Sequence, residues 1–236
     1  MGKGVSNPFP QPQSKAPKGQ PIPARGIAPG SLPPKIPSPE GAIQTASRES
    51  TQMPTAAPTL YLFAGSNGAG KTTFARAYLR QLDPIPRFLN ADELARGLSP
   101  LNPGSVSIRA GKLLLHEMNS CLKDCESFGL ESTLSGTTHI RILDKARALG
   151  YLIELHYLWI PSPELAIRRI RQRVKKGGHP IPDADVRRRF SRSLRNLTNL
   201  YVPLTDSWQI WDNQTRPPSL LLSSENASLS KLNDFL

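Results

Sequence analysis

The stretch Leu60-Tyr61-Leu62-Phe63-Ala64-Gly65-Ser66-Asn67-Gly68-Ala69-Gly70-Lys71-Thr72-Thr73 decides the fold. Residues 60–64 form an apolar run of strand length, and Gly65 to Thr72 satisfies G-x-x-x-x-G-K-[ST]. A strand entering this turn and a helix leaving it form the setting in which the pattern carries chemistry. The glycines let the backbone curl until successive N–H groups point at phosphate oxygens, and the helix N-terminus adds partial positive charge. Asn67-Gly68 supplies the positive φ that the curl needs. Lys71 can reach the β- and γ-phosphates, and the Thr72 hydroxyl can ligate Mg²⁺. Gly65, Ser66, Asn67, Gly68, Ala69, Gly70, Lys71, Thr72 and Thr73 are therefore read as an ATP-binding loop, with Mg²⁺ as the second cofactor.

Outward from this loop, strand and helix patterns alternate. Apolar spacing predicts helices over 71–82, 106–125, 140–149, 165–176 and 185–201, and strands over 87–90, 128–132, 151–160 and 208–212. Gly150 closes one helix, and Pro161 stops the most apolar strand. The alternation implies an α/β class: a three-layer P-loop fold with a central parallel sheet and helices on both faces. Residues 59–213 are expected to form this domain. Beyond Asn213 the chain turns polar, and residues 214–236 are expected to fray as a C-terminal tail.

Composition marks the other boundary. Of the 236 residues, 24 are proline, and 13 of these fall in residues 1–58. That segment cannot bury enough apolar area to offset the entropy of ordering it, so it reads as a disordered tail. Two cysteines exclude a disulfide scaffold and fit a reducing, cytoplasmic setting. No run approaches ~18 consecutive apolar residues, so no membrane span is expected. The formal net charge is +12. Such a balance first points to nucleic acid. Yet residues 165–195 hold eleven basic residues against two acids, Asp183 and Asp185, with Phe190 the lone aromatic among them. A nucleic-acid surface interleaves aromatics with its cations, so a nucleic-acid-binding ATPase or polynucleotide kinase stands as the alternative rather than the main reading.

A P-loop serves motors, switches and kinases alike. The chain has neither an apolar strand ending in paired acids nor the Asn-Lys-x-Asp of guanine specificity, which leaves a small kinase. A kinase needs a base for the acceptor hydroxyl and cations for the transferring phosphoryl group. Asp92, in Leu89-Asn90-Ala91-Asp92-Glu93, follows a strand end and is placed to take the proton; its simpler use is a first-turn or capping acid. Glu131, Thr133 and Ser135, at the next strand end, suit Mg²⁺ or substrate. Arg169 and Arg173 share a helix face while Arg171 points elsewhere, which suggests a lid that clamps phosphate, or simply a solvated basic face. Cys121 and Cys125 read as buried thiols, and Trp211-Asp212-Asn213 reads as core, with a place bordering the adenine pocket as the alternative.

With these residues in hand, the chain resembles the zeta-toxin-like P-loop kinases. The likeness rests on Gly65 to Thr73, on residues 89–100, on Leu130-Glu131-Ser132-Thr133-Leu134-Ser135-Gly136 and on Gly177-Gly178-His179. It implies Lys71 and Thr72 as phosphate and Mg²⁺ residues and Asp92 as the base. It puts Asn90, Glu131, Thr133 and Ser135 at the substrate, and Arg169 and Arg171 at phosphate, with His179 near the place of a further arginine. It also implies a small-molecule hydroxyl acceptor such as UDP-N-acetylglucosamine and an antitoxin protein as partner.

Overall fold

The computed structural model describes residues 57–215 and 217–235. The tail expected over residues 1–58 lies outside the described residues as far as residue 56. From there the chain runs β1 (Thr59–Ala64), α1 (Lys71–Leu79), β2 (Arg87–Leu89), α2 (Ala91–Leu98), α3 (Ser107–Lys123), β3 (Phe128–Ser132), α4 (Ile140–Ala148), β4 (Leu152–Trp159), α5 (Pro163–Val174), α6 (Asp183–Asn196), β5 (Ser207–Asp212), β6 (Ser219–Ser223) and α7 (Leu229–Phe235). The strands form one sheet in the order β2-β3-β1-β4-β5-β6.

Alternation along β1 explains the layers. Leu60 and Leu62 face one core, with Leu114 and Met118 of α3, Leu143 of α4, and Leu197 and Tyr201 beyond α6. Phe63 faces the other, with Phe74 and Tyr78 of α1, Ile167 and Ile170 of α5, and Val186 and Phe190 of α6. Both faces of the sheet are thus covered, as parallel sheets require. The first five strands pair in parallel, β1 lying between β3 and β4. Their carboxyl ends therefore open on one crevice, where the P-loop sits.

Inside the α1 layer lies a buried polar group that the sequence does not announce. Trp211 Nε1 donates to His156 Nδ1 at 3.3 Å, which leaves the His156 proton on Nε2, 3.0 Å from Glu154 Oε1. Tyr78 donates its hydroxyl to the same oxygen at 2.7 Å. Burial alone pushes the Glu154 carboxyl up, but the adjacent His156 ring and then the Tyr78 hydroxyl prevail and hold it below its ordinary value.

Two expectations need correction. Residues 214–236 do not simply fray: β6 joins β5 antiparallel, and α7 buries Leu232 completely. Leu222 and Leu232 enter the α3–α4 core, and the Phe235 ring packs tilted against Trp159 with centroids 5.2 Å apart, which overrides the polar surroundings. Of the two cysteines, only Cys121 is buried. Cys125 lies past the end of α3 in a left-handed turn, φ 53°, and is exposed.

Leu232→Ala is expected to cost about 2–5 kcal/mol in denaturant unfolding, the range for emptying a buried leucine site. Unchanged stability would show that α7 does not contribute to this core.

Candidate active site

The P-loop curls as its glycines demand. Gly65, Gly68 and Gly70 have φ of 140°, 77° and 92°. A Cβ on Gly65 would strike the Leu158 carbonyl at 2.5 Å, and one on Gly68 the Ala166 carbonyl at 2.8 Å. The loop leads into α1, whose first turn carries no acid and whose N-cap, Gly70, makes no side-chain cap. The first N–H groups of α1 are thus left for an anion. Ser66 Oγ and Asn67 Oδ1 are buried without a hydrogen-bond partner among the described residues. The glycine curl and the uncapped helix N-terminus fit a phosphate chain. Thr72 and Thr73 line the crevice; Gly65, Ser66 and Ala69 support the loop from behind.

Glu131 ties the loop to its surroundings. Thr72 donates Oγ1–H to Glu131 Oε2 at 2.7 Å, and Asn90 donates from Nδ2 to the same oxygen at 2.6 Å. Lys71 Nζ stands 3.7 Å from Glu131 Oε1 and donates to the Ser66 carbonyl at 3.0 Å. Desolvation pushes the buried Lys71 ammonium below its ordinary value, opposed by Glu131 and then Asp92. Thr72 and Glu131 offer adjacent hard oxygens, a donor set that suits Mg²⁺ held jointly with phosphates. Among the described residues no cluster of three His, Cys, Asp or Glu forms a separate cation cage.

Asn90 also caps α2: its Oδ1 accepts from the N–H groups of Asp92 at 2.8 Å and Glu93 at 3.2 Å. Asp92 is therefore a first-turn acid and not the cap. Its carboxylate is exposed to a cavity of about 1290 Å³ that also meets Lys71, Thr72, Glu131 and Thr133. Glu93 pairs instead with Arg76 and Arg96. The cavity exceeds the roughly 300–1,000 Å³ of a single small-molecule site, so it has room for a nucleotide and an acceptor.

The loop after β3 divides the remaining candidates. Leu134 takes φ 52° and buries itself, and Asn196 and Tyr201 grip the Leu134 and Gly136 carbonyls at 2.6 and 2.7 Å. Thr133 keeps its place on the cavity, whereas Ser135 is turned away from the lining and bonds Thr133 at 2.8 Å. His139 joins the lining with Nδ1 3.0 Å from Ser132 Oγ, and burial pushes its pKa below the ordinary histidine value.

The hairpin of α5 and α6 sorts its arginines by face. Arg169 and Arg173, one turn apart, both line the cavity, and Arg189 joins them from α6. Arg171 does not: it points outward, 69% exposed, and pairs with Asp183 at 2.5 Å. This corrects the placement of Arg171 at phosphate. His179 is also exposed and outside the lining; its carbonyl accepts from Arg173 at 3.0 Å. Arg173 was foreseeable from its spacing to Arg169. Arg189 and His139 reach the cavity through tertiary packing and carry no local signal; Asn213, the alternative pocket border of the sequence, lines the cavity as well.

This fold and this loop define a nucleotide-binding protein of P-loop kinase-like fold. Residues 60–197 match the family model described as an AAA domain, and the chain belongs to that family. An uncharacterised protein of Haemophilus influenzae is 33% identical over 128 residues, which cover 54% of this chain and 89% of that protein. A structure from the PezAT chromosomal toxin-antitoxin system of Streptococcus pneumoniae superposes with a TM-score of 0.60 at 19% identity, over 75% of this chain and 76% of that one. An AvrRxo1-ORF1:-ORF2 structure with ATP superposes with a TM-score of 0.57 at 18% identity, over 77% of this chain and 64% of that one. These structural likenesses establish a shared fold, the one expected of a zeta-toxin-like P-loop kinase.

Glu131→Gln removes the largest influence opposing desolvation of Lys71, so the lysine pKa should fall further. A phosphate-binding lysine must stay protonated. In titrations of ATP affinity against pH, the alkaline loss of binding should therefore move to lower pH in this variant. An unchanged alkaline midpoint would separate Lys71 from Glu131.

Proposed function

We propose that the protein is an ATP- and Mg²⁺-dependent small-molecule kinase that passes the γ-phosphoryl group to a hydroxyl of a sugar or nucleotide-sugar such as UDP-N-acetylglucosamine. The observation that carries this reading is the free carboxylate of Asp92 facing the same cavity as Lys71, Thr72, Arg169 and Arg173. Base, phosphate cradle and cations thus meet around one space large enough for two substrates.

In the proposed reaction the P-loop N–H groups and Lys71 hold the phosphates. Thr72 and Glu131 would hold Mg²⁺, which supplies charge neutralisation between the β- and γ-phosphates when bound. Asp92 accepts the acceptor hydroxyl proton as that oxygen bonds to Pγ and the bond from Pγ to the β-bridging oxygen breaks, releasing ADP. Arg169 and Arg173 counter the charge on the transferring group; Arg173 keeps a buried Nε donor without a partner. Thr133 and His139 line the acceptor side, and Asn90 acts there by capping α2 and orienting Glu131. A toxin role with an antitoxin partner, and action in the cytoplasm where ATP is supplied, belong to the same proposal.

Labelled ATP and Mg²⁺ should yield a phosphorylated product from UDP-N-acetylglucosamine or from a metabolite extract, detected by mass spectrometry. Asp92→Asn should retain ATP binding and lose roughly 10²–10⁴-fold in kcat, the usual contribution of a general base. Lys71→Ala and omission of Mg²⁺ should each abolish transfer. Wild-type turnover by Asp92→Asn would remove the base assignment. Phosphorylation of a 5′-hydroxyl oligonucleotide, with no small-molecule product, would favour the polynucleotide reading.

A further inference from the structure

Asn213, just past the end of β5, is 8% exposed and joins three segments that are remote in sequence. Its Nδ2 donates to the Ala69 carbonyl of the P-loop at 2.5 Å, across 144 residues of chain. Its own N–H donates to the Trp159 carbonyl at the end of β4, at 3.1 Å. Its carbonyl accepts from Arg169 Nη2 at 2.7 Å, and the Gln214 carbonyl accepts from the same nitrogen at 2.8 Å. Asp212 holds Gln214 in turn, accepting from its N–H at 2.8 Å. The loop is built around this amide as well: a Cβ on Gly70 would run into Asn213 Nδ2. The glycine before Lys71 is therefore required by its neighbour as well as by its φ.

We infer that Asn213 is a positioning residue that locks the P-loop and Arg169 into one unit. Its side chain fixes the end of β5 to the back of the loop, and its carbonyl, so fixed, aims the Arg169 guanidinium along the cavity. The guanidinium is then oriented toward the phosphate cradle by one hydrogen-bonded residue, in addition to the packing of α5 against the loop at Gly68 and Ala166. The inference rests on the proposed role of Arg169 at the γ-phosphate.

A packing role alone would need the volume of Asn213 but not its donor. The chain offers a direct discrimination, because ATP and ADP differ only in the phosphate that Arg169 would meet. Dissociation constants for ATP and ADP, each with Mg²⁺, are measured by calorimetry on the full chain. The proteins are wild type, Asn213→Ala, Asn213→Asp, Arg169→Ala and the Asn213→Ala/Arg169→Ala double variant. The preference for ATP over ADP should fall roughly ten-fold in Asn213→Ala, in line with loss of a buried hydrogen bond. It should fall similarly in Arg169→Ala, and no further in the double variant, since both remove the same aim. Asn213→Asp keeps the shape and sets an acceptor against the Ala69 carbonyl, so it should lose the preference as well; it carries the test if the alanine variant does not fold. Equal weakening of ATP and ADP by the Asn213 variants, wild-type behaviour, or losses that multiply in the double variant would each overturn the inference. A harmless Arg169→Ala would instead remove the role of Arg169 itself, and the inference with it.

Discussion

The site depends on one carboxylate. Glu131 is the penultimate residue of β3, in parallel register beside Phe63 of β1, one residue before Ser132 pairs with Ala64. This register carries it to the point where the P-loop leaves the sheet. A mostly buried carboxylate is costly unless donors surround it. Here the donors come from elements that must all be in place: Thr72 and Lys71 from α1, and Asn90 from the start of α2. The same Asn90 caps α2 with its oxygen while its nitrogen holds Glu131, so the helix that presents Asp92 is anchored to the phosphate loop. The geometry between Asp92 and the P-loop therefore follows from charge satisfaction in the interior, not from surface contacts.

That constraint explains which parts of the molecule are legible in the sequence. The P-loop is, because its chemistry is local: strand, glycine turn and helix lie within fourteen residues. Every strand that pairs in parallel is bounded by turns and apolar runs, and these were readable to within a residue or two. Glu131 and Asp92 were placed at strand ends by the rule that ligands meet the carboxyl edge of a parallel sheet. What could not be read is the role each acid takes on. Glu131 turns toward Thr72 and Lys71 because those residues fold against it, and no spacing in the chain records that contact.

The same argument covers the misreadings. Ser135 looks equivalent to Thr133, yet the buried Leu134 between them sits at φ 52° and turns the second hydroxyl away from the cavity. The C-terminal segment reads as polar because its few apolar residues, Leu222 and Leu232 among them, find a core only when the sheet is already assembled. In each case the local pattern is ordinary and the tertiary partner decides.

Charge gives the last step. The eleven basic residues of 165–195 first resemble a polyanion surface, but the fold sorts seven of them into two populations. Arg171, Arg187 and Arg188 are paired with Asp183, Glu164 and Asp185. Arg169, Arg173, Lys176 and Arg189 line the cavity. Exposed ion pairs contribute little stability individually, so the first group matters mainly as neutralisation of the outer face. The second group is gathered around one concave site, where an interaction with phosphate is screened less than on an open surface. A field directed inward in this way favours a compact, multiply charged ligand over an extended one, which is the electrostatic demand of phosphoryl transfer rather than of nucleic-acid wrapping.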